Sequence, residues 1–185
     1  MQKLGAVTGR FQPVHDQHIE LFKLALQSCE HLIVAVTNPD LGSLYACTAS
    51  AHRHRPADNP FTYYERVRLL TSTLAASGLL VRTTLVPFDL GAPEHWPEYV
   101  PLQTRQFVRV YSAWEAAKVE LLRAKGYHVE VLFGDVATRR SSTDIRACMR
   151  AGSEWQSLVP RAARPILQGL LAAGRMHALD HKEQR

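Results

Sequence analysis

His15 and His18 stand three positions apart, directly after Gly5-Ala6-Val7-Thr8-Gly9-Arg10-Phe11-Gln12-Pro13-Val14, where an apolar run ends in a glycine-bearing loop. In outline this is a phosphate-binding arrangement. A strand delivers the chain to a loop, Gly9 has no side chain to hold a ligand off, and the following helix turns its N-terminal amides and positive dipole toward an anion. Both imidazoles can donate hydrogen bonds to negative charge. Far along the chain, Ser141-Ser142-Thr143-Asp144-Ile145-Arg146 forms a second polar stretch, with hydroxyls at a capped helix start and Arg146 one turn in as a fixed fork of donors. Zinc binding by the two histidines lacks a third ligand nearby, and Cys29, Cys47 and Cys148 form no C-x-x-C pair.

The elements that must position these residues follow from apolar periodicity. Short apolar runs predict buried strands over 4–8, 31–37, 81–88, 107–111 and 128–133. Helical spacing predicts helices over 16–29, from Thr62 to a stop at Gly78, and over 114–125, with helical segments from the second motif to Gly174. Thr62 and Glu65 make a capping box. Asn38-Pro39-Asp40 ends the second strand, and residues 41–60 read as a long loop carrying His52-Arg53-His54-Arg55. The segment 91–101, rich in Pro and aromatic residues, reads as a turn or short helix lining a cleft. Strands alternating with helices predict an α/β fold with a doubly wound five-stranded parallel sheet and C-terminal helices. Ligands of such sheets bind at the carboxyl ends of the strands near the switch point, where both polar stretches would converge.

Composition sets the bounds. The 185 residues, 46% hydrophobic and 21% charged, fit one globular domain over 1–174 with a polar tail over 175–185. A net charge of +5 suits a protein that handles anions. The basic residues are scattered, without the aromatic and basic stripe that single-strand binding needs, so no nucleic-acid partner is expected. No signal peptide is expected, nor a run of the ~18 apolar residues a membrane span needs. Three unpaired cysteines point to a cytoplasmic protein.

Gly9-Arg10-Phe11-Gln12-Pro13 followed by His15 and His18 resembles the opening motif of the nucleotidylyltransferase superfamily, G-R-F-Q-P followed by H-x-G-H. Ser141 to Arg146 resembles its second motif, and Asn59-Pro60-Phe61-Thr62 with Glu65-Arg66 resembles a segment of archaeal-type nicotinamide mononucleotide adenylyltransferases. The resemblance implies a Rossmann-like, HUP-type nucleotide-binding fold. It implies transfer of a nucleoside monophosphate from a triphosphate to a phosphate-bearing small molecule, with pyrophosphate released. Adenylyl transfer from ATP to nicotinamide or nicotinate mononucleotide is the first reading. Cytidylyl transfer from CTP to a small phosphonate or phosphate is the alternative, because Thr37-Asn38-Pro39-Asp40 and residues 86–101 resemble cytidylyltransferase-like domains.

Carried over residue by residue, His15, His18 and Arg146 are catalytic, and Gly9, Arg10, Phe11, Ser141, Ser142 and Thr143 bind the nucleotide. Asn38, Arg53 and Trp96 are acceptor candidates; Arg53 either contacts an acceptor phosphate or is solvated, and Trp96 either stacks on a pyridine ring or packs. Mg2+ would be held mainly by the nucleotide phosphates, with no protein metal site. A homo-oligomer is compatible with this reading, as is a non-catalytic nucleotide sensor. Two departures stand out. Gln17 occupies the glycine position of H-x-G-H, and Tyr111-Ser112-Ala113-Trp114-Glu115 replaces the archaeal S-G-N segment.

Overall fold

The structure, a computed structural model, describes residues 2–42, 44 and 55–176. Its elements run β1 (Gln2–Gly9), α1 (Asp16–Ser28), β2 (Cys29–Thr37), α2 (Tyr63–Ala76), β3 (Thr83–Phe88), α3 (Trp96–Tyr99), β4 (Arg105–Val110), α4 (Ala113–Ala124), β5 (Val129–Phe133), α5 (Ser142–Arg150) and α6 (Arg164–Ala172). The strands form one parallel sheet in the order β3-β2-β1-β4-β5, so the chain winds outward from β1 in one direction and then in the other. The switch point therefore lies between β1 and β4, whose carboxyl ends carry the loops that follow Gly9 and Val110.

Both faces of the sheet are covered, which is why the strands read as apolar runs rather than as alternating patterns. Leu32, Val34 and Val36 of β2 turn to one face and pack with Phe22, Leu69, Ile145 and Leu167 from α1, α2, α5 and α6. Ile33 and Ala35 turn to the other, with Trp96, Val119 and Leu122 from α3 and α4. Each such buried Val, Leu, Ile or Phe side chain contributes roughly 1.5–3 kcal/mol. The α2 start is capped as its sequence predicts: the Thr62 amide donates to Glu65 Oε2 at 2.8 Å and the Glu65 amide to Thr62 Oγ1 at 3.3 Å. Gly78 and Gly126 end their helices at positive φ.

Three expectations shift. The third strand begins at Thr83, because Leu80–Arg82 form a 3-10 turn with Val81 in solvent. The segment 91–101 does contain a short helix, α3, but it packs on β3 and feeds the second core rather than a cleft. Packed chain also continues past Gly174: Arg175 Nε donates to Glu65 Oε1 at 2.9 Å and Met176 is buried. Among the described residues no helix is long and apolar enough to cross a membrane.

Candidate active site

At the switch point the carboxyl ends of β1 and β4 open into a cleft of about 760 Å³. Three stretches wall it: the loop and first turn from Gly9 to His18, the segment from Arg109 to Lys118, and the turn and helix start from Arg139 to Asp144. Five cations line it, Arg10, Arg109, Lys118, Arg139 and Arg140, against the carboxylates of Glu115 and Asp144. A cleft so lined suits a polyanion, since low-dielectric walls focus a single-sign field.

The two histidines form its floor. His15 sits at the cap position of α1, and its imidazole stacks on that of His18 with ring centroids 3.7 Å apart. The His15 backbone N–H donates to His18 Nδ1 at 3.1 Å, which places the proton of neutral His18 on Nε2 and makes that nitrogen a donor. Phe11 meets His18 edge-on at 4.9 Å and Phe22 at 5.7 Å, anchoring the pair in the core. Burial pushes the His15 pKa down to about 4, with Arg140 and Arg139 lowering it further and Asp144 opposing them. Burial likewise holds His18 well below its ordinary value, followed by His15, Arg109 and Lys118. Both rings are therefore neutral at neutral pH, which suits two stacked imidazoles that would repel if charged. His15 Nδ1 is buried without a close hydrogen-bond partner among the described residues, and the His15 side chain faces the His18 backbone N–H in a capping box at the start of α1.

A set of buried side chains fixes the backbone around this floor. Gln12 pairs with Phe61 as a strand would, Nε2 donating to the Phe61 carbonyl at 2.9 Å and Oε1 accepting from its amide at 3.0 Å. Arg66, fully buried, donates to the carbonyls of Arg10 at 2.9 Å, Thr37 at 2.6 Å and Asn38 at 2.6 Å, joining the ends of β1 and β2. Arg146 is also fully buried. Its guanidinium donates to Gln12 O at 2.9 Å, Asp58 Oδ1 at 2.6 Å and Thr143 Oγ1 at 3.2 Å, tying α5 to the first motif and to the 3-10 turn Pro56–Asp58.

The sheet thus brings the two predicted motifs together: Gly9, Arg10, Phe11, His15, His18, Ser141, Ser142 and Thr143 all border the cleft. Ser141 caps α5, accepting from the Asp144 amide at 3.2 Å, and Ser142 Oγ donates to the Pro13 carbonyl at 3.0 Å. Several single roles change. Arg146 faces inward and is a clamp in this conformation, because its terminal nitrogens donate to the buried Gln12 carbonyl and to the partly exposed Asp58 carboxylate, while its Nε is buried without a partner among the described residues. The room left at Gly9 is filled by the Phe11 ring, 2.8 Å from where a Cβ would stand, so the missing side chain lets that ring pack at the edge of the cleft. Trp96 is 1% exposed, donates its indole N–H to the Asp89 carbonyl at 2.6 Å and packs on Phe88, which leaves its ring away from the cleft. Asn38, at φ +52, stands at the end of β2, its Nδ2 donating to Asn59 Oδ1 at 3.3 Å. Arg53 lies outside the described residues, and its neighbour Arg55 is exposed.

Four cleft cations stand outside the predicted site residues, Arg139 and Arg140 within the polar turn that precedes the second motif and Arg109 and Lys118 with no sequence signal of their own. Lys118 reaches in from α4 and donates to the Thr8 carbonyl at 3.1 Å; Arg109 on β4 lies 3.5 Å from Glu20. Arg139 pairs with Glu115 at 3.2 Å and lies over the Tyr111 ring at 5.2 Å, while Arg140 approaches Asp16 at 3.8 Å. Glu115 in turn accepts from Ser112 Oγ. The segment that replaces S-G-N has thus become an ion-paired wall facing the second motif.

Known proteins match this arrangement. The cytidylyltransferase-like sequence profile matches residues 6–147, spanning both motifs. Phosphonoformate cytidylyltransferase of Streptomyces viridochromogenes is 33% identical over 165 residues, covering 89% of this chain and 90% of its own. The nicotinamide-nucleotide adenylyltransferase of Thermococcus onnurineus is 29% identical over 180 residues, covering 97% and 89%. Among solved structures, a bifunctional NMN adenylyltransferase/ADP ribose pyrophosphatase from Francisella tularensis superposes with a TM-score of 0.72 at 14% identity, covering all of this chain and 54% of that one. This last likeness concerns the α/β fold, of which the chain spans about half that molecule's length. With the profile matched over most of the chain and a relative a third identical along nearly its whole length, the protein belongs to the cytidylyltransferase-like family of nucleotidyltransferases.

Proposed function

We propose that the chain transfers the CMP group of CTP to a small phosphonate or phosphate, releasing pyrophosphate, at the cleft between β1 and β4. Two observations support placing this reading ahead of adenylyl transfer, which the sequence ranks first. The phosphonoformate cytidylyltransferase shares 33% identity against 29% for the Thermococcus adenylyltransferase. Trp96, the position that resembles a pyridine-stacking ring, is closed into the core, and this observation carries the reading. Adenylyl transfer from ATP to nicotinamide mononucleotide is the second reading, favoured by the number of adenylyltransferases matching at 28–30% identity.

The chemistry needs no protein nucleophile, because the acceptor is already an anion. One of its oxygens attacks the α-phosphorus. A new P–O bond forms as the bond from that phosphorus to the bridging oxygen breaks, and the electron pair leaves with pyrophosphate. Catalysis is positioning and charge stabilisation. His18 Nε2–H donates to the α-phosphate, and His15, stacked on the His18 ring at 3.7 Å, supports the same charge. Arg109 and Lys118 at the β1/β4 junction, with Arg139, Arg140 and the hydroxyls of Ser141, Ser142 and Thr143, hold the β- and γ-phosphates.

Among the described residues no cluster of three His, Cys, Asp or Glu side chains could cage a metal. This donor set fits Mg2+ entering on the phosphates, where it would neutralise part of their charge. The test is a pyrophosphate-release screen of four triphosphates against phosphonoformate, other small phosphonates, alcohol phosphates and nicotinamide mononucleotide, with Mg2+. Release with CTP and a phosphonate supports the proposal; release confined to ATP with the mononucleotide replaces it by the second reading.

A further inference from the structure

Gln17, at the position where the H-x-G-H pattern has glycine, reaches across to the second motif. Its Nε2 donates to the Thr138 carbonyl at 2.7 Å and its Oε1 accepts from the Arg140 amide at 2.8 Å. One carboxamide therefore pairs with the backbone on both sides of Arg139, as an adjacent strand would. Further contacts of this turn across the cleft run through side chains: Arg139 to Glu115 at 3.2 Å and over the Tyr111 ring at 5.2 Å, and Arg140 to Asp16 at 3.8 Å with both partners about half exposed. An exposed pair of the latter kind holds a loop weakly. Ser142 and Arg146 moor α5 itself, one step beyond the turn. A glycine at 17 would leave the Thr138 carbonyl and the Arg140 amide without this partner.

We propose that Gln17 is a positioning residue, a latch that holds the β5–α5 turn over the histidine pair so that Arg139 and Arg140 already stand at the cleft when the triphosphate arrives. Its kinetic part rests on the nucleotidyltransferase reading; its structural part does not. With the turn fixed beforehand, binding a polyphosphate no longer has to order it, and affinity rises accordingly. The chemistry requires a carboxamide of this length. Glutamate accepts from Arg140 but has no proton for Thr138, and asparagine is one methylene shorter.

The test compares Gln17→Ala, Gln17→Gly and Gln17→Glu with the wild type, Gln17→Ala keeping the helix propensity of α1. Amide exchange of residues 136–141 is read first in the free protein, and the Arg140 amide is expected to exchange about tenfold faster in Gln17→Ala. Binding of inorganic tripolyphosphate, measured by calorimetry, is expected to weaken about tenfold, as is KM for the active triphosphate, while kcat and the acceptor KM change little. Unchanged exchange overturns the latch, and so does quickened exchange with unchanged tripolyphosphate binding. If the wild type transfers no nucleotide, faster exchange with weaker tripolyphosphate binding still supports the latch, and the activity reading alone falls.

Discussion

Replacing Arg146 with alanine separates a clamp from a phosphate ligand. The sequence places Arg146 at the triphosphate; the structure buries it completely, with its two terminal nitrogens donating to Gln12 O, Asp58 Oδ1 and Thr143 Oγ1. Truncation leaves the Asp58 carboxylate without its cation and Gln12 O without that donor, and opens a cavity between α5 and the first motif. Removing one partner of a buried ion pair costs about 3–5 kcal/mol. The Asp58 side chain keeps 18% of its exposure, so solvent offsets part of this and about 2–4 kcal/mol remains. In a chain of this length each kcal/mol moves Tm by about 2–4 °C, which predicts a fall of roughly 5–15 °C. Arg146→Lys keeps a point charge without the fork and should fall between the two. The assay is thermal unfolding by circular dichroism beside the triphosphate KM. A variant with wild-type Tm and a raised KM alone would refute the clamp and return the guanidinium to the phosphates.

Three further outcomes follow from the same geometry. His15 has a folded pKa of about 4 against an ordinary value of 6.5, so it binds its proton more readily unfolded than folded. Its contribution to stability is complete above pH 6.5 and declines toward pH 4, by about 3 kcal/mol; the urea midpoint should show that decline, and His15→Gln should lessen it. His18→Ala should lower kcat by about 100-fold, as expected for a lost transition-state donor, and should also lower Tm because the His15 amide loses its acceptor and Phe11 a ring contact; retained turnover would remove that histidine from the chemistry. Gly9→Ala places a methyl against the Phe11 ring and should destabilise by about 1–3 kcal/mol in chemical denaturation, with the triphosphate KM rising only through displacement of the His18 support.

The parts of the fold legible in the sequence are those dictated by local physics. β2 announces itself because Leu32 to Val36 are buried on both faces, and α2 because Thr62 and Glu65 cap it within one turn. The two motifs were visible as polar stretches next to predicted strand and helix ends. Their convergence followed from the parallel sheet. What stayed hidden depends on partners distant in the chain. Lys118 is an ordinary helix lysine until the placement of β4 beside β1 turns α4 toward Thr8. Gln17 looks like a blemish in a motif until residues 121 and 123 positions away supply its partners. Trp96 looks like a cleft aromatic until Asp89 and Phe88 enclose it. Arg146 illustrates the same limit: an arginine one turn into a helix start can face a ligand or the loop behind it, and only the position of Asp58 decides.

The central chemistry, nucleotidyl transfer at the β1/β4 cleft with CTP as donor, is tested most directly by following one reaction by phosphorus NMR. Wild-type protein, CTP, Mg2+ and a small phosphonate such as phosphonoformate are incubated together, beside a parallel reaction with His18→Ala. The proposed chemistry predicts pyrophosphate and a mixed phosphonate–phosphate anhydride appearing in equal amounts in the first tube and about 100-fold more slowly in the second. Pyrophosphate without the anhydride, or equal rates in both tubes, would contradict it.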